Sequence, residues 1–313
     1  MTLDPQATAH LQRLQQAGFG GMHNRSPGEV REGMRRLSAA LGPGQPVARV
    51  EDRTIMTEAG QIDMRIYHPN PARTRPVIVF FHGGGFVLGS LDTHDGMARA
   101  LAVAADCVVV SIDYPLAPEH KYPAAPTAAL AATRWVAAHA AGFGGDGARL
   151  AVAGDSAGGN LAAVVALMAR NAGGPRIAFQ LLIYPDVDFR RSNVSIQAFA
   201  GKYGNVARET QHWFMDHYLR REEEKLDPLV SPLLAPDLSR LLSALIVTAE
   251  YDALRDEGEA YGERLRQAGV NAVVTRYDGM IHEFMRWPFD ASRRAFQEAG
   301  AAVRTALEAA STS

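Results

Sequence analysis

Cysteine is all but missing from this sequence: Cys107 is the only one in 313 residues. A disulfide within the chain is excluded, and so is a metal site built from several thiolates. Charge of one sign is missing too. Lys and Arg number 32 against 34 Asp and Glu, for a formal net charge of -2, and no basic stripe is present that would draw nucleic acid or an anionic membrane. No apolar run reaches the ~20 residues that cross a bilayer, so stable membrane insertion is not expected. The opening residues MTLDPQATAHLQRLQQAG lack the charged start and apolar centre of a secretory signal, which makes the cytoplasm the expected location. No internal repeat or low-complexity tract stands out. What is there is a chain 47% hydrophobic and 21% charged, long enough to bury a large core in one domain. Cys107 lies in Asp106-Cys107-Val108-Val109-Val110, the texture of a buried strand, and reads as a core thiol rather than a nucleophile.

The first 45 residues read as two amphipathic helices, over 5–17 and 27–41, separated by Gly18, Gly20 and Gly21 and closed by Gly42-Pro43-Gly44. Their apolar positions are too sparse for a separate domain, so they are expected to lie across something larger. Residues 47–57 and 61–68 alternate about a turn at Ala59-Gly60, which predicts an antiparallel hairpin. Continuous apolar runs at 77–81, 108–112, 150–153, 179–183, 245–248 and 272–275 predict strands buried on both faces. Helical stretches near 92–105, 124–140, 157–171 and 257–268 separate them, and a last helix is expected over 291–307. This alternation specifies an α/β fold, with a mostly parallel, doubly wound sheet of about eight strands. Residues 186–236 break the rhythm with aromatics (Phe189, Phe199, Tyr203, Trp213, Phe214, Tyr218) and a charged run at 220–225. An insertion of that length reads as a cap or lid.

Two glycine motifs carry chemistry. Gly154-Asp155-Ser156-Ala157-Gly158 follows a strand and precedes a helix. A serine on so sharp a turn holds a strained backbone, with small residues making room, and its hydroxyl stands above the sheet at the positive end of a helix. His82-Gly83-Gly84-Gly85 follows the strand at 77–81. Its glycines let backbone N–H groups turn inward and, with the N–H of Ala157, form an oxyanion hole. No lysine follows at phosphate-loop spacing. His82 itself reads as a hydrogen-bonding prop for the loop.

A serine hydroxyl needs a base to take its proton, and behind such an elbow the acid and then the base come later in the chain. After Ser156 the histidines are His212, His217 and His282. The first two fall in an amphipathic stretch and read as solvated or packing residues; His282 follows the last strand and is the candidate base. Asp252, at the carboxyl end of the strand begun at Leu245, is the favoured acid, with Glu250, Asp256 and Asp278 as rivals. Asp256 and Glu257 suit the first turn of the next helix. Phe86, Val87, Leu88, Ile281, Phe284 and Trp287 flank these loops and are candidates for an apolar pocket.

Taken in order, HGGGF at 82–86, GSLDTHD at 89–95, DYPLAPEHKYPAA at 113–125, GDSAGGN at 154–160, YDALRDEG at 251–258 and GMIHEF at 279–284 resemble the bacterial hormone-sensitive-lipase-like esterases, the family IV lipolytic enzymes of the α/β-hydrolase superfamily. The likeness spans about 77–287. It implies the α/β-hydrolase fold, a triad of Ser156, Asp252 and His282, and oxyanion donors at Gly83, Gly84 and Ala157. It also implies a helical cap from about 1–45 and 186–236, and cleavage of short- to medium-chain monoesters without metal or organic cofactor. A homodimer through an edge strand is expected by analogy alone. An amidase or deacetylase would use the same machinery, and a non-catalytic receptor on this scaffold, as plant gibberellin receptors are, would be expected to lack the base. Three positions depart from the family pattern. Pro115 stands where relatives carry Arg, leaving Asp113 and Glu119 to find other partners; Ala253 replaces a proline; and Glu283 takes a place often held by Gly. A Glu283 carboxylate beside His282 would raise the imidazole pKa and move the alkaline side of the activity profile.

Overall fold

The computed structural model describes residues 2–16, 21–204 and 207–310; of the amino-terminal positions read above, Ala17, Gly18 and Gly20 lie outside them. The apolar runs become strands of one eight-stranded sheet. In chain order these are β1 (Arg49–Thr57), β2 (Gly60–His68), β3 (Arg75–Phe81), β4 (Val108–Asp113), β5 (Gly145–Asp155), β6 (Phe179–Ile183), β7 (Ala244–Tyr251) and β8 (Ala272–Ile281). Their spatial order is β1-β2-β4-β3-β5-β6-β7-β8. The hairpin β1–β2 pairs antiparallel from Arg49↔His68 to Thr57↔Gly60, and β2 joins β4 antiparallel. From β4 to β8 every pairing is parallel, as right-handed crossovers require. The hairpin turn falls on Glu58-Ala59, one residue earlier than the alternation suggested.

Successive strand residues face opposite sides, and the core divides accordingly. Val77, Val79 and Phe81 of β3 join one cluster with α4 (Ala124–His139), α5 (Ala157–Ala172) and α8 (Arg255–Gln267). Ile78 and Phe80 join the other with α3 (Asp95–Ala105) and α9 (Asp290–Ala309). Each large apolar side chain so buried is worth about 1.5–3 kcal/mol relative to exposure, which is why the central strands tolerate no polar alternation. Cys107 is buried just before β4, its thiol pushed up to about 12 by burial and then by Asp106. The strand at 272–275 proves longer, because β8 is an edge strand. Its half-solvated residues 273–278 pair only with β7 and carry the chain to Ile281, so polar alternation hides their strand character.

Two segments lie over the carboxyl ends of the strands. From the amino terminus, α1 (Pro5–Gln16) meets β8 through Asp4 N–H donating to Gly279 O at 3.1 Å, and its His10 packs against Trp287 at 4.1 Å between ring centroids. Next, α2 (Pro27–Ala40) is capped by Ser26, whose hydroxyl accepts the Glu29 N–H while the Glu29 carboxylate accepts the Ser26 N–H. The insertion at 186–236 holds α6 (Val194–Phe199) and α7 (Arg208–Tyr218). A 2.9 Å bond between His23 Nδ1 and Thr210 Oγ1 links the two segments. Among the described residues no helix is long and apolar enough to cross a membrane.

Candidate active site

At the end of β5 the chain turns into α5 through Ser156, whose φ of 55° and ψ of -118° are strained for a residue with a side chain. Small neighbours make the turn feasible. A Cβ on Gly158 would strike the carbonyls of Phe81 and His82, and one on Gly154 would strike the Gly158 carbonyl. The elbow is thereby pressed against the loop that follows β3. Ser156 N–H donates to Ile183 O at 2.9 Å, and Ser156 O accepts from Asn160 N–H at 3.0 Å and Asp186 N–H at 3.1 Å. Three other residues near this edge, Phe86, Tyr184 and Glu283, also have positive φ (64°, 35° and 59°), so backbone strain gathers here.

The last residue of β8 delivers His282 beside the elbow. Its Nε2 lies 3.1 Å from Ser156 Oγ and its Nδ1 lies 2.8 Å from Asp252 Oδ2. The other carboxylate oxygen of Asp252 accepts the Leu254 N–H at 2.8 Å, which locks the rotamer. Tyr184 packs edge-on to the imidazole at 5.0 Å. Burial opposes the charged ring, but the Asp252 carboxylate, by charge and hydrogen bond, outweighs it, with Glu283 and Asp155 adding to it, and the His282 pKa is pushed up to about 9. Glu283 sits in the left-handed region that favours glycine and pairs with Arg286 at 3.1 Å. Burial would raise its carboxyl, and Arg286 and His282 hold it below the usual range.

The oxyanion loop corrects one expectation. Gly83 N–H does not face Ser156; it donates to Asp155 Oδ1 at 2.9 Å. Asp155 is fully buried, with His94 Nε2 3.4 Å from its other oxygen. Burial alone would raise its carboxyl, but His94, then Arg286 and the Gly83 N–H, hold it charged. The N–H groups of Gly84 and Gly85, at φ of 124° and 60°, have no acceptor among the described residues. Ala157, first residue of α5, likewise presents an N–H that the helix cannot satisfy. His82 is the expected prop: its Nδ1 is 2.9 Å from Gly83 O, its carbonyl accepts the Tyr114 hydroxyl at 2.7 Å, and its ring stacks on Tyr114.

Two of the three rival acids are engaged elsewhere, and the third, Asp278, is exposed. Glu250 accepts the Gly279 N–H at 2.7 Å, and Asp256 accepts the Ser195 N–H at 2.7 Å from the first turn of α8. His212 is exposed, and His217 packs against Trp213. The six expected pocket residues are buried but do not form one wall, Val87 lying in the cluster of Phe86 and Leu88. Phe86 and Leu88 belong to one core cluster, while Ile281, Phe284 and Trp287 belong to the other, where Phe284 meets Tyr184 and Tyr277 and Trp287 meets His10. Aromatics that instead gather on Phe86 are Tyr218, stacked at 4.0 Å, and Phe189 at 6.0 Å. Missed residues include Asn160, whose Nδ2 donates to Asp186 O and Val230 O, both at 2.7 Å, and Glu257, whose buried carboxylate accepts the N–H groups of Val187 and Asp188. Together they pin both ends of the 186–236 insertion. Asn160 was visible only as the last letter of GDSAGGN; Glu257 gave no signal beyond its helix position.

A Ser-His-Asp hydrogen-bonded chain on a strained strand-to-helix elbow, at the carboxyl edge of a parallel sheet, is the arrangement of a serine hydrolase. A family model described as alpha/beta hydrolase fold matches residues 78–286. The carboxylesterase NlhH of Mycobacterium tuberculosis is 42% identical over 273 residues, covering 84% of this chain and 85% of that protein. An arylesterase of Saccharolobus solfataricus is 35% identical over 288 residues, covering 92% and 94%. The solved structure of a hyperthermophilic esterase from Pyrobaculum calidifontis superposes with a TM-score of 0.93 at 42% identity, covering 97% and 99%. The chain belongs to the α/β-hydrolase family, in its hormone-sensitive-lipase-like group, and is a carboxylic ester hydrolase.

Proposed function

We propose that this enzyme cleaves short- to medium-chain carboxylic monoesters through an acyl-enzyme on Ser156. The observation that carries the reading is the chain from Ser156 Oγ to His282 Nε2 at 3.1 Å and from His282 Nδ1 to Asp252 at 2.8 Å. Oγ attacks the ester carbonyl carbon as its proton passes to Nε2, and the carbonyl electron pair moves onto oxygen. The N–H groups of Gly84, Gly85 and Ala157 hold that oxyanion. Collapse breaks the bond to the alkoxy oxygen, which leaves with the proton from Nε2. Water then repeats the sequence and frees the acid.

Small esters are supported by the aromatic group of Phe86, Phe189 and Tyr218, and by Phe214, whose ring lies against Gly85 where a Cβ would strike it. An ethyl acetate hydrolase of Pseudomonas putida, 36% identical over 298 residues, points the same way. The amino-terminal segment and the insertion together make the cap, a reading supported by the His23–Thr210 bond. In a para-nitrophenyl series from acetate to palmitate, kcat/KM is expected to peak between acetate and octanoate and to fall steeply beyond; a palmitate optimum overturns the chain-length reading. Matched anilides should turn over far more slowly, and equal rates would favour an amidase. The edge strand β8, with Val273 half exposed, supports a homodimer, which sedimentation velocity tests; recovery in the membrane fraction of expressing cells would count against a cytoplasmic location.

His282 must be neutral to accept a proton, so its raised pKa governs the rising limb of the pH–rate profile, not the falling one. Removing the Glu283 charge lowers that pKa. Glu283→Gln is therefore expected to move the rising limb toward acid by a fraction of a pH unit, measured as kcat/KM against pH. An unmoved limb rejects the contribution of Glu283.

A further inference from the structure

We infer that Arg31, on α2, is a positioning residue for the oxyanion loop, gripping that loop from the cap through backbone carbonyls. Its guanidinium donates Nε–H to Val87 O at 2.7 Å and Nη2–H to Ala117 O at 2.7 Å, and it meets both Glu119 oxygens at 2.8 Å. The inference rests on the ester-cleaving reading above.

The loop needs an outside hold. Its turn closes on itself, with the N–H groups of Val87 and Leu88 both donating to Gly84 O at 3.1 and 2.8 Å, and Ala117 N–H donating to Phe86 O at 2.9 Å. Inside that turn Phe86 sits at φ 64°, a conformation that surroundings must impose on a residue with a Cβ. Val87 O accepts no N–H of the turn, and its hydrogen-bond partner among the described residues is Arg31. A planar fork can hold two carbonyls and a carboxylate at once, which an ammonium cannot. Glu119 is 55% exposed, so the ion pair with it is screened and contributes little. The two carbonyl bonds are what transmit the position of α2 to Gly84 and Gly85. Losing them leaves the donors present but misaimed, an error that raises the barrier without weakening ground-state binding.

The test titrates competent Ser156 with a para-nitrophenyl phosphonate, then measures kcat and KM for para-nitrophenyl butyrate per titrated site. Arg31→Met is expected to lower kcat about 10- to 100-fold with KM little changed. Arg31→Lys, which keeps the charge for Glu119, should recover only part of this, and free guanidinium should partly rescue Arg31→Ala. Glu119→Gln should stay close to wild type. The inference is overturned if kcat per site in Arg31→Met and Arg31→Lys equals that of wild type, if the loss lies in KM alone, or if Glu119→Gln is as damaging as Arg31→Met. Failure of the phosphonate to titrate the wild-type enzyme would instead overturn the assignment of Ser156. Because kcat is counted per titrated site, a variant that merely folds less completely leaves it unmoved.

Discussion

Ser156→Ala is expected to remove ester turnover almost entirely, by roughly a millionfold in kcat, leaving only what binding and the oxyanion donors supply. The size follows from what the hydroxyl does in the structure. Among the described residues its one hydrogen-bond partner is His282, at 3.1 Å, so without it the imidazole has no hydroxyl proton to accept and the acyl-enzyme cannot form. The fold should not notice. The backbone bonds of Ser156 to Ile183, Asn160 and Asp186 remain, and alanine tolerates φ 55° no worse than serine does. Thermal melts of Ser156→Ala and wild type should nearly coincide. Ser156→Gly should be equally inactive yet more stable than Ser156→Ala by about 1–3 kcal/mol, because glycine adopts that backbone without strain. Burst kinetics with a para-nitrophenyl ester check the chemistry. Turnover near the wild-type level in Ser156→Ala would remove Ser156 from the mechanism.

The legibility of this protein in its sequence divides along physical lines. Strands buried on both faces announced themselves, since β3, β4 and β5 are buried throughout 77–81, 108–112 and 150–155 and nearly all apolar there. The edge strand β8 was read too short, because its alternation 273–278 is set by solvent on one side. Ser156, Asp252 and His282 could be found because each follows a strand end, a position readable from pattern. The donors around them could not be apportioned. Which glycine N–H faces the oxyanion depends on Asp155 reaching across from the elbow to Gly83, a contact between residues 72 apart. Arg31 was invisible for the same reason: its partners, Val87, Ala117 and Glu119, lie 56 to 88 residues away. The pocket residues were chosen for being apolar and near motifs, and apolar residues near motifs also build the two core clusters that flank the sheet. Only packing tells the two roles apart.

Asp252→Asn should cost about 10^4-fold in kcat near neutral pH, with KM and folding largely retained. The reason lies in the second oxygen of Asp252. That oxygen accepts the Leu254 N–H at 2.8 Å, so an asparagine must keep its carbonyl there and turn its NH2 toward His282 Nδ1. A donor facing Nδ1 forces the ring to carry its proton on Nε2, the nitrogen that should accept from Ser156. The substitution also removes the charge that outweighs burial. With Asp252 in place the His282 pKa stands at about 9, so wild-type kcat/KM should climb through neutral pH and level off only above that value. In Asp252→Asn burial prevails, and the rising limb of the residual activity should move acidward by more than in Glu283→Gln. Stability follows the same linkage with the opposite slope. A folded pKa above the free imidazole value of 6.5 means that the imidazolium–Asp252 pair stabilises the fold fully below that value, and that this contribution is lost as pH rises through about 9. The stability difference between wild type and Asp252→Asn should therefore be largest in mild acid, while both carboxylate and imidazolium are charged, and should shrink toward pH 10, where a denaturant titration series can follow it. A difference that grows with pH would mean that Asp252 holds a neutral imidazole in the resting enzyme, and the rising limb would then belong to another group.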